Sequence, residues 1–333
     1  MLVEFALFFA GLLLLYFGAE FLVAGSSALA LTFGVKPLVV GLTVVAFGTS
    51  SPELLVCLTA AIEHTAATDA ISIGNIIGSN IANIALILGC ASLIRPIKVT
   101  EQAVKREYPL MLAASVLLVL LIVFDSPDQT LSRLDGGLLV TGMAGYLLYS
   151  YFTAIFADDD EADAGPSGEQ VSELEEIEEP APEEESTPKQ AGKILLGIVG
   201  LAVGAYLMVE SAVAIAHTFD VPELVIGISI VALGTSLPEL ATSIIAAVRD
   251  ESDISVGNVI GSNLFNILLV LGTVSLIAPI SVKERVLDFD LWMMMGVSIG
   301  IWPILRSGRQ ISRGEGIGML VIYTGYIIML FLR

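Results

Sequence analysis

Apolar runs long enough to cross a lipid bilayer recur along almost the whole 333-residue chain. A helix needs about 20 apolar residues to span the hydrocarbon core, whereas a membrane β-barrel shows shorter alternating segments. The chain is 55% hydrophobic and 15% charged, with a mean hydropathy of +0.86, outside the usual range of soluble domains. The pattern therefore predicts an all-α membrane protein with ten transmembrane helices. The predicted spans are residues 3–32, 37–62, 71–94, 107–124, 136–156, 194–217, 223–248, 254–278, 287–305 and 315–332.

The net charge of −20 is concentrated in one polar segment between the fifth and sixth predicted spans. Residues 158–185 contain four Asp and ten Glu but neither Lys nor Arg. Such a segment cannot bury enough apolar surface to fold, so residues 157–192 are predicted to be an acidic, disordered linker. It separates residues 1–156 from residues 193–333. The acidic balance argues against a nucleic-acid partner.

Few residues in the chain suit enzymatic chemistry. Cys57 and Cys90 both lie in apolar runs, so neither a disulfide framework nor a cysteine metal site is predicted. Neither of the two histidines lies near a Ser or Cys motif, as nucleophilic catalysis usually requires. A membrane enzyme using Ser50 or Ser51 would lack a partnered base. We therefore predict a protein that is not an enzyme and that has no cofactor.

The positive residues predict the orientation, because Lys and Arg favour cytoplasmic loops. Eleven fall on one side of the membrane and four on the other. This bias predicts a multi-pass plasma-membrane protein with both termini outside and the 157–192 linker in the cytoplasm. The first residues lack the basic region of a cleaved signal, so the first run is predicted to be a permanent span. The eleven are Lys36, Arg95, Lys98, Lys105, Arg106, Lys189, Lys193, Arg249, Arg306, Arg309 and Arg313.

Two parts of the chain resemble each other. Gly48-Thr-Ser-Ser-Pro-Glu-Leu54 matches Gly234-Thr-Ser-Leu-Pro-Glu-Leu240, and Gly74-Asn-Ile-Ile-Gly-Ser-Asn80 matches Gly257-Asn-Val-Ile-Gly-Ser-Asn263. The repeats cover about residues 40–94 and 226–278. Because each half contains five predicted spans, the second half must enter the membrane upside down. Inverted repeats are a transporter architecture with sites near the midplane, although a channel could also be built from repeats.

Each repeat contains one glutamate in the middle of a predicted span, Glu53 and Glu239. A carboxylate there costs several kcal/mol unless it is paired, protonated or ion-bound. Each glutamate follows a proline, which lacks an N–H and frees a carbonyl oxygen one turn earlier. Thr49 and Thr235 precede the glutamates by four residues, so hydroxyl and carboxylate share a helix face. These positions predict a buried site rich in oxygen atoms.

The next predicted span of each repeat has a polar stripe, with residues four positions apart on one helix face. Carboxylate, amide, hydroxyl and carbonyl oxygens suit calcium, sodium or magnesium rather than zinc or copper. Two glutamates carry a charge of −2, which one Ca²⁺ or two Na⁺ would neutralise, and mutually exclusive occupancy would be an exchange mechanism. Hydrogen bonding between helices is the alternative to ion contact for four asparagines, Asn75, Asn80, Asn258 and Asn263. The stripes are Asn75, Ser79 and Asn83 in the first repeat and Asn258, Ser262 and Asn266 in the second.

These motifs resemble the sodium/calcium exchanger branch of the calcium/cation antiporter superfamily. Its two alpha-repeats carry Gly-Thr-Ser-x-Pro-Glu and Gly-Ser-Asn-x-x-(Asn or Asp), and the resemblance covers nearly the whole chain. It implies a monomer in the lipid bilayer that exchanges Na⁺ for Ca²⁺ by alternating access. It also implies Glu53, Glu239, Asn83 and Asn266 as the central ligands. The implied flanking sodium sites are Thr49, Ser50, Thr235, Ser236, Ser79, Ser262 and the carbonyls of Ala46 and Ala232.

Departures from the family pattern refine the expectation. Some relatives have Asp at the position of Asn83 or Asn266, and in the potassium-dependent branch an Asp in the second repeat is tied to potassium use. The two asparagines therefore resemble the potassium-independent type. Proton/calcium exchangers share the fold but usually carry a different glutamate motif, so they are the alternative, and a cation channel is a further one. Glu20 and Glu210, in the first and sixth spans, are additional candidates for site or gate residues.

Overall fold

The computed structural model describes residues 2–63, 66–125, 129–156, 186–219, 232–282 and 286–332. This part of the chain is predominantly helical. We name its main helices α1 (Leu2–Phe33), α2 (Pro37–Thr49), α3 (Ser51–Glu63), α4 (66–94), α5 (Ala103–Phe124), α6 (Arg133–Phe156), α7 (Thr187–Thr218), α8 (Leu237–Val248), α9 (Ser252–Ile277), α10 (Val286–Gly308) and α11 (Arg313–Leu332). A short helical turn, Ala232–Gly234, precedes α8.

Membrane-length helices account for most of this structure. Within the described ranges, seven helices are long and apolar enough to cross a bilayer, and α2 with α3 forms an eighth span if this pair, bent by 44°, is counted as one. The shorter α8 is also apolar. These helices agree with the predicted all-α membrane class.

The two helices with the polar stripes lie at the centre of the fold. In both α4 and α9, 78% of the most apolar window is buried inside the protein, against 22% in α1 and α7. Large buried side chains such as Ile77, Ile84 and Ile267 surround the stripes. The polar residues of α4 and α9 are therefore held in the interior rather than against lipid.

Two short antiparallel strand pairs connect loops of the first half with loops of the second. The strands are β1 (Ile97–Lys98), β2 (Thr130–Leu131), β3 (Ile280–Ser281) and β4 (Gln310–Ile311). Ile97 of β1 pairs with Ile311 of β4, and Thr130 of β2 pairs with Ser281 of β3. The sequence analysis did not predict these strands, because two residues are too few to show an alternating pattern.

Helices α1 and α7 contact each other backbone to backbone along much of their length. A Cβ atom on Gly18 would lie 2.7 Å from the Leu201 nitrogen, and one on Gly197 would lie 2.6 Å from the Leu22 nitrogen. Only glycine permits this approach, as in other closely packed membrane helices. The two longest helices therefore form a tightly packed pair whose outer surface is largely exposed.

Some helix boundaries differ from the predicted ones. Helix α7 begins at Thr187, inside the segment predicted as linker, with Pro188 in its first turn, a position that suits proline. The predicted helix boundaries lie where the chain becomes polar. A helix can continue beyond the hydrocarbon core, so α7 begins earlier than its apolar residues indicate. Residues 157–185 of the predicted linker and residues 223–231 of the predicted seventh span lie outside the described residues.

A candidate cation site between the two repeats

The same helix break occurs before both glutamates. Ser50 has φ −85° and ψ 4°, and Ser236 has φ −88° and ψ 4°, so the two copies adopt one backbone conformation. Helices α3 and α8 start directly after these residues and place Glu53 and Glu239 in their first turns. The following proline explains the break because it has no N–H to continue the helical hydrogen bonds.

Glu53 and Glu239 are both buried, with 0% and 1% of their surface exposed. Within the described residues, neither carboxylate oxygen of Glu53 has a hydrogen-bond partner, and Oε2 of Glu239 has none. Oε1 of Glu239 accepts a hydrogen bond of 3.0 Å from the Ser50 hydroxyl. Nor does either glutamate form an ion pair with a cationic side chain of these residues. A buried carboxylate in this situation is costly unless a proton or a cation neutralises it.

Two amide oxygens add to this set of unpartnered atoms. Asn83 and Asn266 are buried, and within the described residues neither Oδ1 atom accepts a hydrogen bond. Each residue is the second residue of a π-helical segment, Ala82–Ile87 in α4 and Phe265–Leu271 in α9. Short π segments inside α-helices are frequent at functional sites because they change the direction of the side chains.

Hydroxyl groups of each glutamate motif contact the polar stripe of the other repeat. Thr49 Oγ1 donates to Asn258 Oδ1 at 3.0 Å and lies 3.4 Å from Ser262 Oγ. Thr235 Oγ1 donates to Asn75 Oδ1 at 3.1 Å. These reciprocal contacts connect residues about as far apart in the chain as the repeats themselves, so the site forms only when both halves are folded together.

The remaining predicted hydroxyl and carbonyl ligands lie along the same interface. Ser236 Oγ and Ser79 Oγ are hydrogen-bonded at 3.2 Å. The carbonyl oxygen of Ala46 accepts from the Ser50 backbone N–H at 2.9 Å and lies 3.3 Å from Thr49 Oγ1, the single hydrogen of which has its shorter contact with Asn258. Ala232 lies at the start of the turn Ala232–Gly234.

Asn75 and Asn258 form hydrogen bonds between helices, which is one of the two roles that the sequence left open for them. Besides accepting from Thr49, Asn258 donates through Nδ2 to Ser243 Oγ at 3.0 Å and to the carbonyl of Glu239 at 3.3 Å. All the polar atoms of its amide are thereby engaged with protein groups. Asn258 therefore binds helix α9 to α8 and α2, while Asn266 on the same helix has an amide oxygen that accepts no hydrogen bond from the described residues.

Helix α2 approaches α9 very closely beside these contacts. A Cβ atom on Gly257 would lie 2.7 Å from the Leu38 carbonyl oxygen, and one on Gly261 would lie 2.6 Å from Ala46 Cβ. Small residues four apart, here Gly257 and Gly261, permit such a close approach between membrane helices. It brings the Thr49 hydroxyl within reach of the α9 stripe.

Glu20 and Glu210 lie apart from these polar contacts. Glu20 forms an ion pair with Arg249 in which both side chains remain partly exposed, and Glu210 is exposed on α7. Ser27 of α1 also donates to the neighbouring Glu251 at 2.6 Å. Glu20 therefore takes part in a contact between α1 and the 249–251 corner rather than in the oxygen-rich cluster.

The described residues contain no group of three or more His, Cys, Asp or Glu side chains that could hold a metal ion. A cation between the repeats would therefore depend on amide, hydroxyl and carbonyl oxygens as well as on two carboxylates. Such oxygen ligands suit hard cations.

Comparison with known proteins identifies the family. A family model described as sodium/calcium exchanger protein matches residues 3–152 and 189–332. The chain belongs to the sodium/calcium exchanger protein family. Sodium/calcium exchanger MaX1 of Methanosarcina acetivorans is 31% identical, with 99% of each chain covered. Inner membrane protein YrbG of Escherichia coli is 38% identical, with 99% of this chain and 96% of YrbG covered.

A solved structure of the sodium-calcium exchanger NCX_Mj matches with a TM-score of 0.80 and 31% identity. The match covers 98% of each chain. The family resemblance that the repeat motifs predicted is therefore confirmed. The comparisons also confirm two further predictions: that the chain is a multi-pass membrane protein of an antiporter family, and that it is not an enzyme.

Two methionines near the candidate site were missed by the sequence analysis. Asn263 Nδ2 donates to Met111 Sδ at 3.4 Å, and Asn80 Nδ2 donates to Met294 Sδ at 3.9 Å. In each pair, the methionine and the asparagine belong to different halves of the protein. Nothing in the sequence around a buried methionine distinguishes such a contact from ordinary packing.

Proposed function

We propose that this family member is a potassium-independent antiporter that exchanges Na⁺ for Ca²⁺ by alternating access. The observation that carries the proposal is the set of buried oxygen atoms that lack a donor among the described residues. These atoms are Glu53 Oε1 and Oε2, Glu239 Oε2, Asn83 Oδ1 and Asn266 Oδ1. Calcium takes six to eight oxygen ligands in flexible geometry, and these five atoms would supply most of such a shell.

The hydroxyl groups complete the proposed set of ligands. A hydroxyl that donates its hydrogen to a protein acceptor keeps its oxygen lone pairs for a cation. Thr49 and Thr235 donate to asparagine oxygens in this way, and Ser50 donates to Glu239. We propose that Thr49, Thr235, Ser50, Ser236, Ser79 and Ser262, with the carbonyls of Ala46 and Ala232, hold the sodium ions beside the central calcium position.

The charge of the proposed site favours exchange of one ion type for the other. Glu53 and Glu239 together contribute −2, so one Ca²⁺ or two Na⁺ neutralise the carboxylates, and simultaneous occupancy by both would leave excess positive charge in the interior. Asn83 and Asn266 add oxygen ligands without further charge. This absence of a third carboxylate at the two asparagine positions is the basis for proposing potassium independence.

Ten spans in two inverted halves are proposed as the framework of this site. The equal backbone angles at Ser50 and Ser236 and the reciprocal threonine contacts support the relation between the halves. A monomer suffices for the proposal because both halves of the site come from one chain. No cofactor is required, and the Ca²⁺ and Na⁺ ions are substrates.

The proposed orientation can be tested with a thiol reagent that does not cross membranes. In a background of Cys57→Ala and Cys90→Ala, we expect the reagent to label Ser281→Cys in intact cells. Gln310→Cys is expected to react only after the membrane is opened, because its loop belongs to the side with more Lys and Arg. Ser281 lies in β3 and Gln310 lies in β4, and these strands belong to different strand pairs. The reverse labelling pattern would invert the proposed topology, including the cytoplasmic location of the linker.

Transport in proteoliposomes tests the function itself. Vesicles loaded with sodium are expected to take up calcium when the sodium gradient is outward, with no uptake when the gradient is absent. Adding potassium on either side should leave the rate unchanged. Uptake driven by a proton gradient alone would favour a proton/calcium antiporter, and uptake that depends on no counter-ion would indicate a channel.

A further inference from the structure

Two chains of hydrogen bonds begin at the amide nitrogens of Asn83 and Asn266, the residues whose Oδ1 atoms have no donor within the described ranges. In the first, Asn83 Nδ2 donates to Asn263 Oδ1 at 3.0 Å, and Asn263 Nδ2 donates to Met111 Sδ at 3.4 Å. In the second, Asn266 Nδ2 donates to Asn80 Oδ1 at 3.1 Å, and Asn80 Nδ2 donates to Met294 Sδ at 3.9 Å. The participating side chains are all buried, with at most 1% exposed: Asn80, Asn83, Asn263, Asn266, Met111 and Met294.

The methionine sulfur fixes the direction of each chain. A thioether has lone pairs but no hydrogen, so it can accept a hydrogen bond and cannot donate one. The contact with Met111 therefore requires the NH₂ group of Asn263 on the side of the sulfur, which leaves Asn263 Oδ1 on the opposite side. That oxygen can only accept, so it selects the NH₂ group of Asn83 as its partner.

This hydrogen bond also determines which end of the Asn83 amide faces the proposed cation site. Once the NH₂ group of Asn83 points to Asn263, Asn83 Oδ1 must point the other way. This oxygen is one of those that have no hydrogen-bond donor among the described residues. The two ends of an amide have nearly the same size, so packing alone hardly distinguishes the two orientations of Asn83. A reversed amide would direct N–H groups, which are positively polarised, toward a bound cation.

We propose that Met111 and Met294, acting through Asn263 and Asn80, are positioning residues that direct the amide oxygens of Asn83 and Asn266 toward the transported cation. The inference rests on the proposed function and assigns a role to four residues outside the ligand set. Each chain of hydrogen bonds crosses to the other half and returns, because Met111 and Asn83 belong to the first half and Asn263 to the second. In the other chain, Met294 and Asn266 belong to the second half and Asn80 to the first.

Substitution of the methionines tests the role of the sulfur. Leucine has a similar volume but no acceptor, so Met111→Leu and Met294→Leu are expected to raise the apparent Kd for Ca²⁺ about three- to tenfold, the range for one ordinary hydrogen bond. The Kd is measured by Ca²⁺ titration of the purified full-length protein. The maximal rate of exchange in proteoliposomes should change less than the calcium concentration at half-maximal rate.

Matched variants separate positioning from packing. Met143→Leu changes another buried methionine in α6 and should leave the Kd unchanged. Met111→Gln restores an acceptor oxygen on an unbranched side chain and should recover most of the lost affinity. A general packing defect would instead lower the melting temperature without calcium equally in Met111→Leu and Met143→Leu, and glutamine would not repair it.

The outcomes distinguish this inference from the proposed function. If the wild-type protein binds Ca²⁺ and Met111→Leu binds it equally well, or if Met111→Gln fails to recover the affinity lost in Met111→Leu, the positioning role is wrong while calcium transport stands. If the wild-type protein neither binds nor transports Ca²⁺, the proposed function is wrong and the positioning role falls with it.

Discussion

Glu53→Gln and Glu239→Gln are each expected to abolish sodium-dependent calcium uptake without destabilising the cation-free protein. Glutamine has nearly the shape of glutamate but removes the charge that a cation would neutralise. Among the described residues, Glu53 has no hydrogen-bond donor and Glu239 has only Ser50. A buried carboxylate with so few donors is unfavourable, so the neutral amide should keep or raise the melting temperature measured in chelator. This combination of lost activity and retained stability is characteristic of a ligand rather than of a structural residue.

The response to calcium is the second measurement for the same variants. A ligand that binds only the folded state stabilises it by about 2.7 kcal/mol when its concentration is about 100 times Kd. The wild-type melting temperature should therefore rise when calcium is added, and both glutamine variants should lose this rise. Glu315→Gln is the matched control, because Glu315 lies in the first turn of α11 and accepts a bond from the exposed Ser312 backbone. Retained exchange in Glu53→Gln, or an equal loss in Glu315→Gln, would contradict the proposed ligand role.

Much of the candidate site could be predicted from the sequence because polar residues are costly inside membrane helices. Glu53 and Glu239 stand out against apolar surroundings, and their appearance in both repeats makes chance an unsatisfactory explanation. The spacing of four residues placed Ser79 on the face of Asn83 and Ser262 on the face of Asn266. The structure places these stripes in the two most buried helices, α4 and α9.

The roles of the individual asparagines could not be predicted in the same way. Asn258 and Asn266 lie on one stripe, yet Asn258 is fully engaged with protein groups, whereas Asn266 Oδ1 has no partner in the part of the chain that the structure describes. The difference depends on Thr49 and Ser243, which approach from other helices, and on the π segment that begins beside Asn266. Local spacing contains no information about such partners.

Substituting Gly261 is expected to impair both stability and cation binding. Even the single carbon of Gly261→Ala would lie 2.6 Å from Ala46 Cβ and 2.6 Å from the Leu42 carbonyl oxygen. Helix α2 must then move away from α9, which separates Thr49 Oγ1 from Asn258 Oδ1. Overpacking of this kind costs about 1–3 kcal/mol, so the melting temperature should fall and the apparent Kd for Ca²⁺ should rise. Gly261→Leu should prevent folding.

The control for Gly261 is a glycine of an exposed helix surface. A Cβ atom on Gly325 of α11 would meet no atom within 4 Å in the described part of the protein, so Gly325→Ala should fold and bind calcium as the wild type does. The calcium and sodium affinities of Gly261→Ala decide whether the crossing shapes the site, because α2 carries both Thr49 and the Ala46 carbonyl, which are proposed sodium ligands. If Gly261→Ala lowered the melting temperature but left calcium and sodium affinities unchanged, the close crossing of α2 and α9 would stabilise the fold without shaping the site.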